Sequence, residues 1–144
     1  MVQRVMVCGD REYPAMEHVE EYLAKLPQGT VVMVSDRPGV DQVAGLVARA
    51  RGLAVERAAT DWSTGTHAVY ACSARMVEQA DHVVVFRSGG SPGTMFTIRE
   101  AVSAGKPIHV FSPEWAPYPD GLAGSNYPGI GLAAPASAMA DSRL

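Results

Sequence analysis

The residues best suited to chemistry in this chain lie in the glycine-rich segment RSGGSPGT, positions 87–94. It follows the apolar run HVVVF and precedes a helix-like stretch, so its amides would meet at a helix N-terminus, which attracts negative charge. Two useful kinds of residue occur in it, glycines without a Cβ and hydroxyl donors: Ser88, Gly89, Gly90, Ser91, Gly93 and Thr94. The pattern predicts a phosphate-binding turn, although a tight strand-to-helix turn also tolerates glycine and serine for steric reasons alone.

Two further turns place polar residues after apolar runs, CGDREYP at 8–14 and SDRPGVD at 35–41. Their candidate ligand residues are Gly9, Asp10, Arg11, Gly39 and Asp41. Asp10 could hold ribose hydroxyls or cap the next helix. Asp41 could bind ribose hydroxyls or a metal-bound water, or only stabilise the start of its own helix. Asp36 lies where an anion would otherwise meet bare backbone, or it forms an Asx-turn.

Other side chains are weaker candidates. Arg11 and Arg75 could neutralise a phosphate from opposite sides of a cleft, or remain solvated on the surface. Trp62 could stack on a base or cover the sheet. Cys72 follows His67 by five residues, which does not bring the two onto one helix face, so we interpret Cys72 as an inert thiol.

Regular elements must bring these turns together. Five short Val-rich runs, RVMVC, TVVMVS, LAVERA, HVVVF and IHVF, have the continuous apolar character of parallel strands covered on both faces. Apolar residues at helical spacing separate them. The alternation predicts an α/β fold, a Rossmann-like open parallel five-stranded sheet with helices on both faces. The third run, with Glu56 and Arg57, belongs near an edge, and ligands would bind at the carboxyl ends of the strands.

Composition narrows the classes of protein. The chain has 144 residues, 47% of them hydrophobic and 19% charged, with a net charge of -3. Its basic residues are scattered, so we expect no clear nucleic-acid surface and no membrane partner. No segment is long and apolar enough for a signal peptide or a spanning helix, so we expect a cytoplasmic location. Two cysteines and four histidines lack metal-ligand spacing, so we expect neither a metal nor a cofactor. We assign residues 1–112 to one Rossmann-like domain and 113–144 to an irregular extension rich in Pro, Gly and Ala.

The segment VVVFRSGGSPGT resembles the Gly-Gly-x-Gly-Thr signature of the SLOG superfamily, Rossmann-like nucleotide-binding proteins. That superfamily includes the "lonely guy" phosphoribohydrolases, formerly called lysine decarboxylases, and the DNA-processing protein of natural transformation. The chain is most similar to the small bacterial branch related to YspA. In that branch the first strand runs into Gly-x-Arg-x-Tyr/Phe, which Gly9, Arg11 and Tyr13 of this chain match. The turn after the second strand ends in Gly-x-Asp there, as Gly39 and Asp41 do here. The resemblance covers about residues 4–111.

The resemblance does not extend to the reactive positions of the phosphoribohydrolases. In those enzymes an Arg-Lys pair stands four and three residues before a helical Met, and a Glu stands three residues after the Gly-Thr. Here Cys72 and Ser73 precede Met76, and Thr97 follows Thr94. Cleavage of an N-glycosidic bond passes through a cationic sugar, which a carboxylate stabilises, and Thr97 offers none.

We therefore expect a protein that binds a nucleotide or another phosphoribosyl small molecule, as a sensor or without the standard phosphoribohydrolase activity. No residue is assigned a catalytic role. Two alternatives stay open: a hydrolase of a nucleotide-derived metabolite with a rearranged catalytic set, and an interaction scaffold that binds no ligand. Because superfamily members usually pair through helices beside the cleft, we also expect a homodimer or higher homo-oligomer, with Met76 and Met95 on an exposed face.

Overall fold

A computed structural model describes residues 3–114 of the chain, apart from the side chain of Thr66. Five strands and four α-helices alternate along these residues: β1 (Arg4–Gly9), α1 (Met16–Ala24), β2 (Val31–Ser35), α2 (Val40–Ala50), β3 (Ala54–Ala58), α3 (Ala68–Gln79), β4 (His82–Phe86), α4 (Pro92–Ser103) and β5 (Ile108–Phe111). A short 3-10 helix, Trp62–His67, joins β3 to α3. Most of the expected extension, 113–144, lies outside the described residues.

The strands form one parallel sheet in the order β3-β2-β1-β4-β5. The predicted Rossmann-like α/β fold is therefore confirmed, and the polar strand β3 does lie at an edge. From β1 the chain first builds outward through β2 and β3, and then crosses back to add β4 and β5. The strand order reverses between β1 and β4, which is where ligands bind in open sheets of this kind.

Alternating side chains of the strands feed two apolar layers. On β1, Val5 and Val7 belong to the layer shared with α1 and α2, whereas Met6 and Cys8 belong to the layer shared with α3 and α4. The interior strands are buried on both faces, so their sequences read as unbroken apolar runs. The two layers hold the carboxyl ends of β1, β2 and β4 side by side.

The methionine face expected for oligomerisation is not formed. Met76 is only 2% exposed and packs in the layer beneath α3 and α4, and Met95 is half-buried against the same layer. The helical period of α3 carries Met76 inward together with Val77, because both lie on the side that contacts the sheet. Pairing of two chains therefore stays a prediction without this surface to support it.

None of the helices in the stretch 3–114 is both long enough and apolar enough to cross a bilayer.

A buried histidine, His109, and a half-buried one, His82, lie on neighbouring strands and are expected to make the fold sensitive to acid. Burial lowers the pKa of His109 to about 4, and the nearby imidazole of His82 adds to the effect. Burial also lowers the pKa of His82. An unfolded chain has histidine pKa values near ~6.5, so between about pH 6.5 and 4 the unfolded state binds more protons than the folded state. The free energy of unfolding must then fall as the pH drops through this window.

We predict that His109→Gln flattens this dependence. The wild-type free energy of unfolding, measured by urea denaturation from pH 7.5 to pH 4, should lose up to about 3 kcal/mol through His109 alone. The variant should lose correspondingly less. His67→Gln, which replaces an exposed histidine, should follow the wild-type curve. Parallel curves for His109→Gln and the wild type would contradict the prediction.

Candidate functional site

A cavity of about 350 Å³ opens at the carboxyl edge of the sheet, beside the point where the strand order reverses. The turns after β1 and β2 and the start of α4 form its walls. Side chains and backbone from these walls include Gly9, Arg11, Arg37, Asp41, Gly93 and Thr94. The indole of Trp62 stands at the rim and is 61% exposed. Three turns that are far apart in sequence are thus brought to one concave surface.

The carboxylate of Asp10 occupies the first half of the glycine-rich turn. Its Oδ2 accepts the N–H groups of Ser88 and Gly89, both at 2.8 Å, and the Ser88 hydroxyl at 3.2 Å. Its Oδ1 is buried and has no hydrogen-bond partner within residues 3–114. The negative oxygen expected at these amides is therefore supplied by the chain itself. Asp10 does not cap α1, because the N-cap residue of that helix is Ala15 and no side chain caps it. Asp10 does not line the cavity either.

The second half of the turn faces the cavity. Ser91 is the N-cap of α4, and its Oγ accepts the N–H of Thr94 at 3.4 Å. Pro92 has no N–H, and the N–H of Gly93 has no acceptor among the described residues. Gly90 has no atom within 4 Å of the place where a Cβ would stand. The positive end of the α4 dipole is thus open at Gly93.

Arg37 brings a guanidinium to this helix end. Its Nε donates to Ser35 Oγ at 3.2 Å and its Nη2 donates to Ser73 Oγ at 3.4 Å. Its Nη1 lies 3.5 Å from the position that a Cβ on Gly93 would take. None of the carboxylates in the described part of the chain comes within 4.0 Å of its nitrogens. Neutral hydroxyls therefore hold a cation against the positive end of a helix, with Arg11 in the same cavity wall.

Two of the predicted ligand glycines are needed for packing. A Cβ on Gly39 would stand 2.5 Å from the carbonyl oxygen of Arg11, and its φ of 91° lies in the region that favours glycine. A Cβ on Gly9 would stand 2.4 Å from the carbonyl oxygen of Phe86. These glycines let the turn after β2 approach the turn after β1, and let β1 approach β4. They shape the cavity by allowing its walls to meet.

The two carboxylates after β2 have different environments. Asp41 is buried, and its Oδ2 accepts the N–H of Ser35 at 3.0 Å and the hydroxyl at 2.7 Å. Burial raises the pKa of Asp41, against the opposing effects of Arg37 and Ser35. Asp36 is exposed, and its two oxygens accept the N–H and hydroxyl of Thr60, at 3.0 and 2.8 Å. Its bonds to Thr60 therefore tie the end of β2 to the segment after β3. Desolvation raises the pKa of Asp36, but the hydrogen bonds from Thr60, together with the nearby backbone and the charge of Arg37, leave the pKa lowered.

The remaining candidates divide between core and surface. Cys72 is buried in the layer under α3, as an inert thiol would be. Arg75 is exposed and forms no part of the cavity wall, and its charge acts on Asp61. Thr97 does line the cavity, where its hydroxyl donates to the carbonyl oxygen of Gly93 at 3.2 Å. Within the described residues no cluster of three metal-ligating side chains occurs.

Sequence reasoning missed Arg37, the cation at the centre of the site. The available signal was its position two residues after the end of β2, in the same turn as Gly39 and Asp41. A residue at that place must lie at the carboxyl edge of the sheet, whereas Arg75, in the middle of α3, need not. Cys8 also lines the cavity, and burial raises the pKa of its thiol, so it is a weak nucleophile.

Solved structures that match this chain include two DNA processing proteins of the same fold. DNA processing protein A from Streptococcus pneumoniae matches with a TM-score of 0.68 and 15% sequence identity, over 76% of this chain and 50% of that protein. DNA processing protein A from Helicobacter pylori matches with a TM-score of 0.55 and 16% identity, over 76% of this chain and 65% of that one. The chain therefore spans half to two thirds of these proteins. No protein-family model and no curated protein matches it.

These similarities confirm the fold, while membership of the SLOG superfamily and the relation to the YspA branch stay predictions. They also correct one expectation. The structure from Helicobacter pylori is described as showing a single-stranded DNA binding mode. The prediction of no nucleic-acid surface, which rested on net charge and scattered basic residues, is thus contradicted. Net charge is a property of the whole chain and says little about the field inside one cavity.

We predict that Asp10→Asn destabilises the fold. The substitution removes a charge that accepts two backbone N–H bonds across 78 and 79 positions of sequence, so the free energy of unfolding should fall by about 1–3 kcal/mol. Urea denaturation at neutral pH measures the change. Glu12→Gln removes the same charge from an exposed position in the same turn and should cost less than about 0.5 kcal/mol. Equal stability of the two variants would refute the bridging role of Asp10.

The two classes of glycine should separate under substitution by alanine. Gly39→Ala forces a Cβ against the Arg11 carbonyl at a strained φ, so it should lower the free energy of unfolding by about 1–3 kcal/mol. Gly90→Ala meets no atom within 4 Å and should change it by less than about 0.5 kcal/mol. Thermal denaturation followed by circular dichroism tests both. Similar melting temperatures would show that Gly39 is not a packing position.

Proposed function

We propose that this protein binds a nucleotide through its phosphate, which lies between the Arg37 guanidinium and the N-terminus of α4. The observation that carries the proposal is the arrangement of Arg37 itself. It is held by Ser35 and Ser73 and faces Gly93, and no carboxylate of the described residues lies within 4.0 Å of its nitrogens. A guanidinium presents its N–H groups in a fork that matches the oxygens of a phosphate.

Electrostatics supports an anion at this place. The α4 N-terminus carries roughly half a positive charge, and a guanidinium beside it repels it unless negative charge lies between them. Asp36 and Asp41 act on Arg37 electrostatically, but the hydrogen bonds that they accept come from Thr60 and Ser35. A phosphate would take hydrogen bonds from Nη1 of Arg37, from the Gly93 N–H and from the Thr94 hydroxyl.

The rest of the cavity fits a nucleoside. The whole cavity, phosphate position included, has a volume of about 350 Å³, which lies within the range of roughly 300–1,000 Å³ that small-ligand sites occupy. Trp62 presents an exposed ring at the rim, where a base could stack. Gly90, which is free of neighbours, leaves the approach to the α4 terminus open.

The phosphate could belong to a free nucleotide or to a single strand of nucleic acid. Arg37 and Gly93 would recognise the same phosphate group in both. A strand is a reasonable source because the matching protein from Helicobacter pylori is described as binding single-stranded DNA. We propose binding without the standard phosphoribohydrolase activity, because Thr97 at the family's carboxylate position gives its hydroxyl to a backbone carbonyl. The hydrolase alternative predicts release of base and ribose 5-phosphate from nucleoside monophosphates.

Removal of the Arg37 charge is the direct test. We expect isothermal titration calorimetry to detect binding of nucleoside 5′-monophosphates or of a short single-stranded oligonucleotide. Arg37→Gln should weaken that binding by roughly ten- to a hundredfold, the contribution of hydrogen bonds to a charged group. Arg49→Gln removes an exposed arginine from the last turn of α2, away from the cavity, and should bind like the wild type.

The outcomes separate the alternatives. Binding by monophosphates alone identifies a free nucleotide, whereas binding only by the oligonucleotide identifies a strand. Chromatography of the same mixtures for free base would reveal a hydrolase. If neither ligand binds, or if Arg37→Gln and Arg49→Gln bind equally, the proposed function is wrong.

A further inference from the structure

We infer that Asp36 is a specificity-determining residue that binds the ribose hydroxyls, so that the cavity selects ribonucleotides over deoxyribonucleotides. The inference rests on the proposed function, because it assumes that a nucleotide phosphate lies at Arg37. It adds the class of sugar and assigns a role to a carboxylate that phosphate binding does not use.

The position of Asp36 places it between the phosphate and base ends of the cavity. Asp36 is the first residue after β2 and forms part of the cavity wall. The next residue, Arg37, turns towards Gly93 at one end, whereas the Asp36 carboxylate turns towards Thr60 on the other side. Trp62 follows Thr60 by two residues. Phosphate, sugar and base can therefore lie in that order along the cavity.

The carboxylate is fixed and still has capacity to accept. The Thr60 N–H bonds to Oδ2 at 3.0 Å and the Thr60 hydroxyl bonds to Oδ1 at 2.8 Å. Each carboxylate oxygen has two lone pairs, so each can accept one more hydrogen bond. The side chain is exposed, and its lowered pKa keeps it an acceptor at neutral pH. Two neighbouring hydroxyls of a ribose are donors that match two such oxygens.

The order of the strands in the sheet also supports binding of ribose hydroxyls by a carboxylate. In doubly wound sheets that bind dinucleotides, an acidic residue downstream of the first βα turn binds the ribose 2′-hydroxyl. Asp36 follows the second strand of a sheet with that order. A bare backbone turn in its place would bind an anion, whereas a carboxylate repels an anion and favours neutral hydroxyl groups. The turn after β2 is therefore suited to a sugar and not to a second phosphate.

Matched sugars test the inference on the wild-type protein without any substitution. The probes are adenosine and guanosine 5′-monophosphates with their 2′-deoxy and 3′-deoxy counterparts, titrated by calorimetry. We expect each ribonucleotide to bind at least roughly tenfold more tightly than its 2′-deoxy form, because loss of the hydroxyl leaves a fixed acceptor without its donor. A ribo-oligonucleotide and a deoxy-oligonucleotide of one sequence extend the comparison to strands.

Asp36→Asn should reduce this preference to about twofold or less while leaving binding of the deoxy form nearly unchanged. An asparagine keeps one acceptor for Thr60 but loses the charge and the second acceptor. Glu78→Gln removes an exposed carboxylate near the end of α3 and should keep the wild-type preference. Circular dichroism and melting temperature confirm that each variant is folded. If Asp36→Asn fails to fold, the wild-type comparison of sugars still decides.

The inference and the proposed function fail in different ways. If no nucleotide binds the wild type, the phosphate site itself is wrong. If ribose and 2′-deoxyribose forms bind equally and Arg37→Gln still weakens both, the phosphate site stands and the role of Asp36 is refuted. A preference for ribose that survives in Asp36→Asn also refutes that role, because another group must then read the sugar.

Discussion

One carboxylate joins the two turns on which the site depends. Asp10 directly follows β1, and its Oδ2 accepts the backbone N–H groups of Ser88 and Gly89 in the turn after β4. These strands are adjacent in the sheet, but the chain reaches one from the other only after building β2 and β3. The bond therefore closes the fold at the place where its strand order reverses. A charged acceptor is used here because it satisfies two N–H groups that no strand neighbour can reach.

This bond also decides which part of the glycine-rich turn can meet a ligand. The N–H groups nearest β4 are already bonded, so positive character is concentrated at the start of α4, where the Gly93 N–H and Arg37 converge. The turn after β2 carries a cation on one residue and carboxylates on Asp36 and Asp41. Charges of both signs thus line one cavity, with the cation on the side of α4 and the exposed carboxylate on the side of β3.

The sequence predicts the fold better than the site, and the reason is physical. Strands and helices follow from the periodicity of apolar residues, which is local, so all five strands of the sheet are found where the Val-rich runs predict them. The contacts of Asp10 join residues almost eighty positions apart, and no local pattern encodes them. The glycines of the first two turns can be read from the sequence. Their role in packing cannot, because it depends on contacts with backbone that is distant in sequence. Met76 was wrongly expected on an exposed face, although its place on the apolar face of α3 already indicated that it is buried.

The cavity has one wall that differs from the others. Gly9 and Gly39 are in contact with neighbouring backbone, so the base of the cavity tolerates little change in shape. The segment with Trp62 is instead a short 3-10 helix that is kinked at Gly65, and a Cβ there would meet nothing within 4 Å. Under the proposed function, related chains could therefore differ in ligand preference by exchanging or lengthening that segment while keeping the rest of the cavity. Variation would then be confined to the 3-10 helix, while the base of the cavity around Gly9 and Gly39 stayed the same.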